Sequence, residues 1–192
     1  MSRFVFTLVT AMALTATAVA QASTWQIDPK HTAAQFAVRH LGVSTVRGAF
    51  TKVSGSAQYD PADASKDSLE ATIDVSSVDT RVEARDNDIR SPHFFDAAKF
   101  PTITFHSKST KVAGPGKLAM TGDLTMHGVT KEVVLDVEGP SAPVKDAMGI
   151  TRVGASATAK LTRQDFGLTA APGVVGDQID ITIDVELIQP PK

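Results

Sequence analysis

The nine residues Ile179-Asp180-Ile181-Thr182-Ile183-Asp184-Val185-Glu186-Leu187 decide the fold. Apolar and polar side chains alternate without a break, and a period of two belongs to a strand with one buried and one solvated face. The same period recurs toward the N-terminus. Val153, Ala155, Ala157, Ala159 and Leu161 make one face of Thr151–Thr162, and Val133, Leu135 and Val137 alternate with Glu132, Asp136 and Glu138. Leu118, Met120, Gly122, Leu124 and Met126 form another apolar row, as do Leu69, Ala71, Ile73 and Val75. Ala34, Phe36 and Val38 end at Leu41-Gly42, after a brief strand Trp25-Gln26-Ile27 and a turn at Asp28–Thr32. Val43 to Asp60 reads as one long strand or a bent pair, with a bulge predicted at Ser54-Gly55-Ser56. Asp60-Pro61-Ala62-Asp63, Gly114-Pro115-Gly116 and His127-Gly128 are turns, and Pro140 to Pro143 breaks the run before Thr151.

The chain is therefore all-β, with about eight long antiparallel strands. A sandwich and an up-and-down barrel both fit. Closure into a barrel removes sheet edges and suits long strands joined by short turns. The alanine-rich face of Thr151–Thr162 also leaves volume inside, unless aromatic rings fill it.

One stretch departs from the alternation: Val82 to Phe105, VEARDNDIRSPHFFDAAKFPTITF. Its first nine residues read as a short charged helix, which Ser91-Pro92 ends because proline pushes its predecessor out of the α region. Phe94, Phe95 and Phe100 follow on a loop, and Thr102–His106 resumes a strand. A helix and aromatic loop between two blocks of strands read as a cover over one end of the β-structure. A hydrophobic cap that closes the core and binds nothing is the competing reading.

At the N-terminus, Arg3 precedes an apolar, small-residue run to Ala20, and Val19-Ala20-Gln21-Ala22 offers a cleavage site. Residues 1–22 are expected to be a signal peptide removed after Ala22, too short and too rich in Thr and Ala for a membrane span. The product, residues 23–192, would be soluble and periplasmic or secreted, with no lipoprotein cysteine at the junction. Without Arg3 of the 19 basic residues, 18 face 21 acidic ones, and neither sign forms a run. Charge gives no argument for nucleic-acid binding. The chain has no cysteine, which excludes a thiol nucleophile, a thiolate metal site and disulfides.

Catalytic patterns are absent from the sequence. The five histidines, His31, His40, His93, His106 and His127, make no H-x-H or H-E-x-x-H motif, and no G-x-S-x-G or phosphate loop occurs. His31 and His40 could meet in space. Glu70, Asp74, Asp180, Asp184 and Glu186 fall on solvent faces as a solubilising exterior. The expectation is a protein that is not an enzyme, with no metal and no catalytic cofactor.

Several segments together resemble the YceI-like family of exported bacterial lipid-binding proteins. They are Asp28-Pro29-Lys30-His31, Phe36-Ala37-Val38-Arg39-His40, Ser44 to Phe50, Ser77-Val78-Asp79-Thr80, Arg85 to Ser91, Phe94-Phe95-Asp96, Phe100 to Phe105, Thr121 to Thr130, Asp165-Phe166-Gly167-Leu168 and Val175-Gly176-Asp177. The resemblance spans the chain from residue 23 onward. It implies an extended eight-stranded antiparallel lipocalin-like barrel, with the short helix and aromatic loop covering one end. It further implies an apolar tunnel holding a polyisoprenoid, an isoprenoid quinone or a fatty-acid-like lipid. One departure stands out: after Phe166-Gly167-Leu168-Thr169 this chain reads Ala170-Ala171-Pro172-Gly173-Val174-Val175, where many members have Trp or Asn and a longer loop. A smaller or more apolar mouth would follow.

On this reading the tunnel liners are Phe36, Val38, His40, Phe50, Ile73, Phe94, Phe95, Phe100, Phe105, Met120, Leu124, Ala155, Ala157 and Phe166. Arg39, Arg47 and Arg90 are the head-group candidates, because an arginine fork suits a phosphate or carbonyl oxygen. Ion pairing of these arginines with Asp86, Asp88 or Asp165 is their structural alternative. The expected function is non-enzymatic transport, storage or sequestration of an amphiphilic lipid, extending to lipophilic antibiotics. The alternatives are an enzyme acting on lipid-linked substrates and a stress-response structural protein. Transient membrane contact and a monomer or homodimer complete the expectations.

Overall fold

A computed structural model describes residues 23–189; the expected leader and the last three residues lie outside them. Twelve strands make one sheet: β1 (Ser23–Ile27), β2 (Ala33–His40), β3 (Ser44–Phe50), β4 (Val53–Tyr59), β5 (Ser68–Asp74), β6 (Val78–Asp79), β7 (Thr102–Gly114), β8 (Lys117–Met126), β9 (Val129–Glu138), β10 (Val144–Lys145), β11 (Thr151–Thr162) and β12 (Val175–Gln189). The helix α1 (Glu83–Arg90) lies between β6 and β7.

Six of these strands combine into three bent staves. β12 pairs with β2 through Val175 to Asp184 and with β1 at Leu187 and Ile188, so β1 and β2 are two halves of one stave. β3 and β4 continue each other in the same way across Thr51-Lys52, and β5 and β6 across Val75–Ser77. With β7, β8, β9, β11 and β12 they form eight antiparallel staves in sequence order. The β11–β12 ladder, twelve residues a side from Thr151↔Gln189 to Thr162↔Gln178, completes closure. The barrel expectation holds over the sandwich.

Local residue choice explains the turns. Pro115-Gly116 alone joins β7 to β8. His127-Gly128 joins β8 to β9 with both φ angles positive, +52° and +76°, as a tight hairpin turn needs. The predicted bulge at Ser54-Gly55-Ser56 is absent: β4 and β5 stay in register from Val53↔Ile73 to Gln58↔Ser68. Gly55 is required for another reason. Its φ is +148°, and a Cβ there would lie 2.0 Å from the Glu70 carbonyl oxygen. The register shifts fall instead between Ser107 and Ser109 and between Val112 and Gly114 in β7, and between Val175 and Ile179 in β12.

The β2–β3 turn, α1 with its aromatic loop, His127-Gly128 and Arg163–Val174 share one end of the barrel. Trp25, the Asp60–Asp67 connection and the residues between β9 and β11 share the other. Three apolar clusters lie along the interior: one around Trp25, Ile27 and Leu187, one around Phe105, Met120 and Ala157, and one around Phe50, Val75 and Phe166.

Candidate functional site, an apolar tunnel

The inward rows do not meet at the axis. Phe36, Val38, Ile179, Ile181, Ile183 and Val185 all point inward, yet each is only half-buried. They face a cavity of about 620 Å³, within the range of small-molecule sites, roughly 300–1,000 Å³. From Val175 to Leu187, β12 runs along its wall. At about 3.3 Å per residue and the usual strand tilt, that gives a tunnel roughly 30 Å long.

Packing opens the space and shapes it. Ala155, Ala157 and Ala159 contribute little volume. Gly48 and Gly122 sit under aromatic rings: a Cβ would come within 2.5 Å of Phe36 Cζ at the first and of Phe105 Cζ at the second. These glycines let the rings lie flat on the wall instead of crossing the lumen.

Twelve of the fourteen residues expected to line the tunnel touch the cavity: Phe36, Val38, His40, Phe50, Ile73, Phe94, Phe95, Phe105, Met120, Leu124, Ala155 and Ala157. Two do not. Phe166 follows β11 in a short 3-10 helix (Arg163–Phe166) and is buried with Val75, Val78 and Met126. Phe100 stacks edge-on against His127, ring centroids 4.7 Å apart, over Gly128, whose Cβ would lie 2.6 Å from the ring.

Of the arginine candidates only Arg39 reaches the cavity. It donates to Thr45 Oγ1 at 2.8 Å and to the Gly42 carbonyl at 2.6 Å, and it is exposed at the rim. Arg47 faces outward from β3. Arg90 donates to the Ser76 carbonyl and Asn87 Oδ1, each at 3.0 Å, and so ties the helix to the barrel. Neither Arg39 nor Arg90 forms the expected ion pair with Asp86, Asp88 or Asp165. Asp86 is buried and accepts from Thr80 N and Oγ1, while Asp88 pairs with His93 at 3.0 Å.

Sequence reasoning missed several polar residues of the wall: Arg85, Asp88, His93 and Arg163 at the helix end, and Tyr59, Asp67 and Ser68 at the Trp25 end. Arg163 is almost wholly buried and donates to the carbonyls of Leu168, Val175 and Gly176. It pins the Ala170–Val175 loop, and Ala171, Val174 and Val175 of that loop line the mouth. The Leu41 N–H donates to the Val174 carbonyl at 2.7 Å, joining this loop to the β2–β3 turn across the rim.

His31 and His40 do not meet. His40 stands at the rim, whereas His31 Nδ1 lies 2.9 Å from Asp28 Oδ2 and 3.7 Å from Glu186 on the outer wall. That carboxylate partner was not expected. Asp28, His31 and Glu186 hold ligand-type atoms within 4.8 Å of one another, but the Arg152 guanidinium occupies the cluster. It bonds Asp28 at 2.9 Å, Asp146 at 2.9 Å, and Glu186. The group is an ion-pair network. The hydrogen bond with His31 and the Lys30 N–H, joined by Arg152, hold the Asp28 carboxyl down at about 2. The carboxylates at the Glu70, Asp180 and Asp184 positions face solvent; Asp74 caps the turn after β5 by accepting from Ser76 N.

Comparison with known proteins places this geometry. The YceI-like domain model matches residues 25–187. A UPF0312 protein of Vibrio cholerae serotype O1 is 37% identical over 172 residues, 88% of this chain and 89% of that protein. Protein YceI of Salmonella arizonae is 35% identical over 184 residues, covering 96% and 95%. Among solved structures, the Campylobacter jejuni YCEI protein superposes with a TM-score of 0.70 at 35% identity, over 79% of this chain and 89% of that one. Burkholderia cenocepacia BcnA shares the fold with a TM-score of 0.74 at 24% identity, over 83% and 98%. A polyisoprenoid binding domain from Saccharophagus degradans shares it at 0.66 and 16%, over 86% and 98%. By sequence match along nearly its whole described length, the chain belongs to the YceI-like family.

Proposed function

We propose that this protein binds one long-chain amphiphile, a polyisoprenoid, isoprenoid quinone or fatty-acid-like lipid, in the tunnel, as a carrier or store and not as an enzyme. The observation that carries this reading is the lumen itself: inward aliphatic rows left half-exposed around a cavity with almost wholly apolar walls. Such surface is costly to leave against water, at about 25 cal/mol per Å², and a hydrocarbon chain removes that cost. The shared fold of the polyisoprenoid binding domain from Saccharophagus degradans supports the ligand class by shape.

Energetics favour shuttling. Each isoprene unit moved out of water gains roughly 3–4 kcal/mol at ~0.8 kcal/mol per apolar carbon group. A bilayer interior offers the same gain, so transfer from membrane to tunnel is nearly neutral. Leu41, Val43 and Val174 stand exposed at the rim, at 57%, 81% and 40%, and a brief contact of this rim with a membrane surface is the loading step we infer. Removal of residues 1–22 would place the protein in the periplasm or outside the cell. There the same lumen would take up lipophilic antibiotics arriving from water.

Native mass spectrometry and organic extraction of the purified protein test the reading. Co-purified lipid, or stoichiometric uptake of a fluorescent hydrocarbon, is the expected result. A protein that takes up neither is a structural barrel, and one that converts its lipid over time is an enzyme.

A further inference from the structure

At the end of the tunnel opposite α1, a carboxylate faces the lumen with no cation paired to it among the described residues. Gln58 and Ser68 are the last pair of the β4–β5 ladder, and Tyr59 and Asp67 are each one step beyond it. Asp67 has the parity of Leu69, Ala71 and Ile73, and Tyr59 that of Val53 and Ala57. Alternation therefore turns both inward, and both line the cavity with Ser68. Trp25 lies buried at this end, edge-on to the Tyr59 ring at 6.2 Å.

Asp67 is 8% exposed. Its Oδ1 accepts from the Asp60 N–H at 2.9 Å, and among the described residues its Oδ2 accepts nothing. The Tyr59 and Ser68 hydroxyls likewise make no hydrogen bond there. Nearby Lys66 is committed elsewhere, to Asp60 at 3.2 Å and Asp63 at 3.5 Å. Burial pushes the Asp67 carboxyl above the ordinary range. The Asp60 N–H bond pulls it back, and the negative charges of Asp60 and Asp63 add to the rise. Burial, with the charge of Asp67, raises the Tyr59 phenol in turn.

A carboxylate oxygen that opens onto an apolar lumen gains when a donor meets it. We propose that Asp67, with Tyr59, forms a polar station at the tunnel floor. It receives the leading end of an amphiphile that carries an N–H or O–H donor there, a protonated amine best of all. This rests on the tunnel reading above and adds direction to it: the ligand enters donor end first, its other end remaining at the Arg39 rim. A carboxylate at the leading end is rejected by Asp67 and must stay at the rim.

Displacement of the hydrocarbon probe diphenylhexatriene by cetylamine, cetyl alcohol and palmitate tests this on the wild-type protein and on Asp67→Asn. The Asn side chain keeps an oxygen for the Asp60 N–H, so the loop retains its bond. Tyr59→Phe serves as a second variant that leaves the loop untouched. Asp67→Asn should weaken cetylamine about tenfold, as for loss of one buried charge-assisted hydrogen bond, while diphenylhexatriene and palmitate stay within about twofold. Tyr59→Phe should weaken cetyl alcohol in the same assay. Equal loss for all ligands, or no loss for cetylamine, overturns the polar station while leaving the tunnel standing. Failure of wild-type protein to bind diphenylhexatriene overturns both.

Discussion

Ala159 of β11 is the direct ladder partner of Ile181 of β12, and both side chains line the lumen half-exposed. Two positions along β11, Ala157 is already enclosed by Phe105, Met120 and Leu135. Both alanines border the cavity, Ala157 buried within that packed cluster and Ala159 half-exposed beside it.

That contrast makes a paired prediction. Ala159→Phe projects a ring into open space, so uptake of a fluorescent hydrocarbon should fall sharply while the unfolding midpoint changes little. Ala157→Phe must push aside packed side chains and should cost about 1–3 kcal/mol in denaturant unfolding. Equal stability loss in the two variants, with uptake intact in Ala159→Phe, would put the ligand elsewhere.

Arg163 makes a second case. Its guanidinium serves three backbone carbonyls from Leu168 to Gly176, a task the single point charge of lysine cannot reproduce. Arg163→Lys should cost about 3 kcal/mol, the loss of charge-assisted bonds to buried groups, and should speed hydrogen exchange from Leu168 to Val175. Unchanged exchange in that loop would show that the Leu41–Val174 bond alone holds the mouth.

Acid should loosen the outer wall at Asp28. Its folded value, about 2 against an ordinary 3.8, is depressed by His31, Lys30 and Arg152. A depressed carboxyl contributes stability that is fully present above the unfolded value and is lost as pH falls through the folded one. Thermal midpoints of the wild type should therefore drop between pH about 4 and about 2. Asp28→Asn should start lower at neutral pH and stay flatter across that window. Parallel curves for the two proteins would remove Asp28 from the account.

The eight staves were legible because alternation is a property of single strands: β8, β11 and β12 announce their inward faces residue by residue. Closure was not, since the partition of β12 between β1 and β2 depends on the bend at Asp28–Thr32. Among site residues, the missed polar ones carried a signal. Asp67 extends the row Leu69, Ala71, Ile73 by one step, Arg163 extends Ala157, Ala159, Leu161, and both obey the parity of apolar neighbours. Reading the row past its last apolar member finds them. Phe100 and Phe166 gave the opposite error. Phe100 lies two residues before β7 and Phe166 four beyond β11, too far from the ladder for its parity to assign a direction, and each ring found a glycine-backed surface or the core instead of the lumen.

The cover over the tunnel mouth divides between two adjacent rings. A charged helix with little apolar surface has little to bury, yet α1 is anchored by polar means. Buried Asp86 accepts from Thr80 N and Oγ1, and Arg85 donates back to Thr80 Oγ1 and its carbonyl at 2.8 and 2.9 Å. Phe95 strengthens the anchor: its ring meets Phe50 edge-on at 5.9 Å, and its N–H donates to the Ile89 carbonyl at 3.0 Å. Phe94 instead rests on His93, centroids 4.8 Å apart, a neighbour that is itself exposed, its ring held by Asp88 and its N–H donating to Ser91 Oγ. Motion at the mouth should then belong to His93 and Phe94, not to the whole segment from Val82. Phe95→Ala should cost about 3 kcal/mol or more, as large-to-small changes in packed sites do, and Phe94→Ala far less. In stopped-flow exchange of a fluorescent lipid, Phe94→Ala should release ligand several-fold faster with a nearly unchanged unfolding midpoint. Should Phe94→Ala exchange at the wild-type rate, the ring is no gate, and lipid passes between the Leu41 turn and Val174.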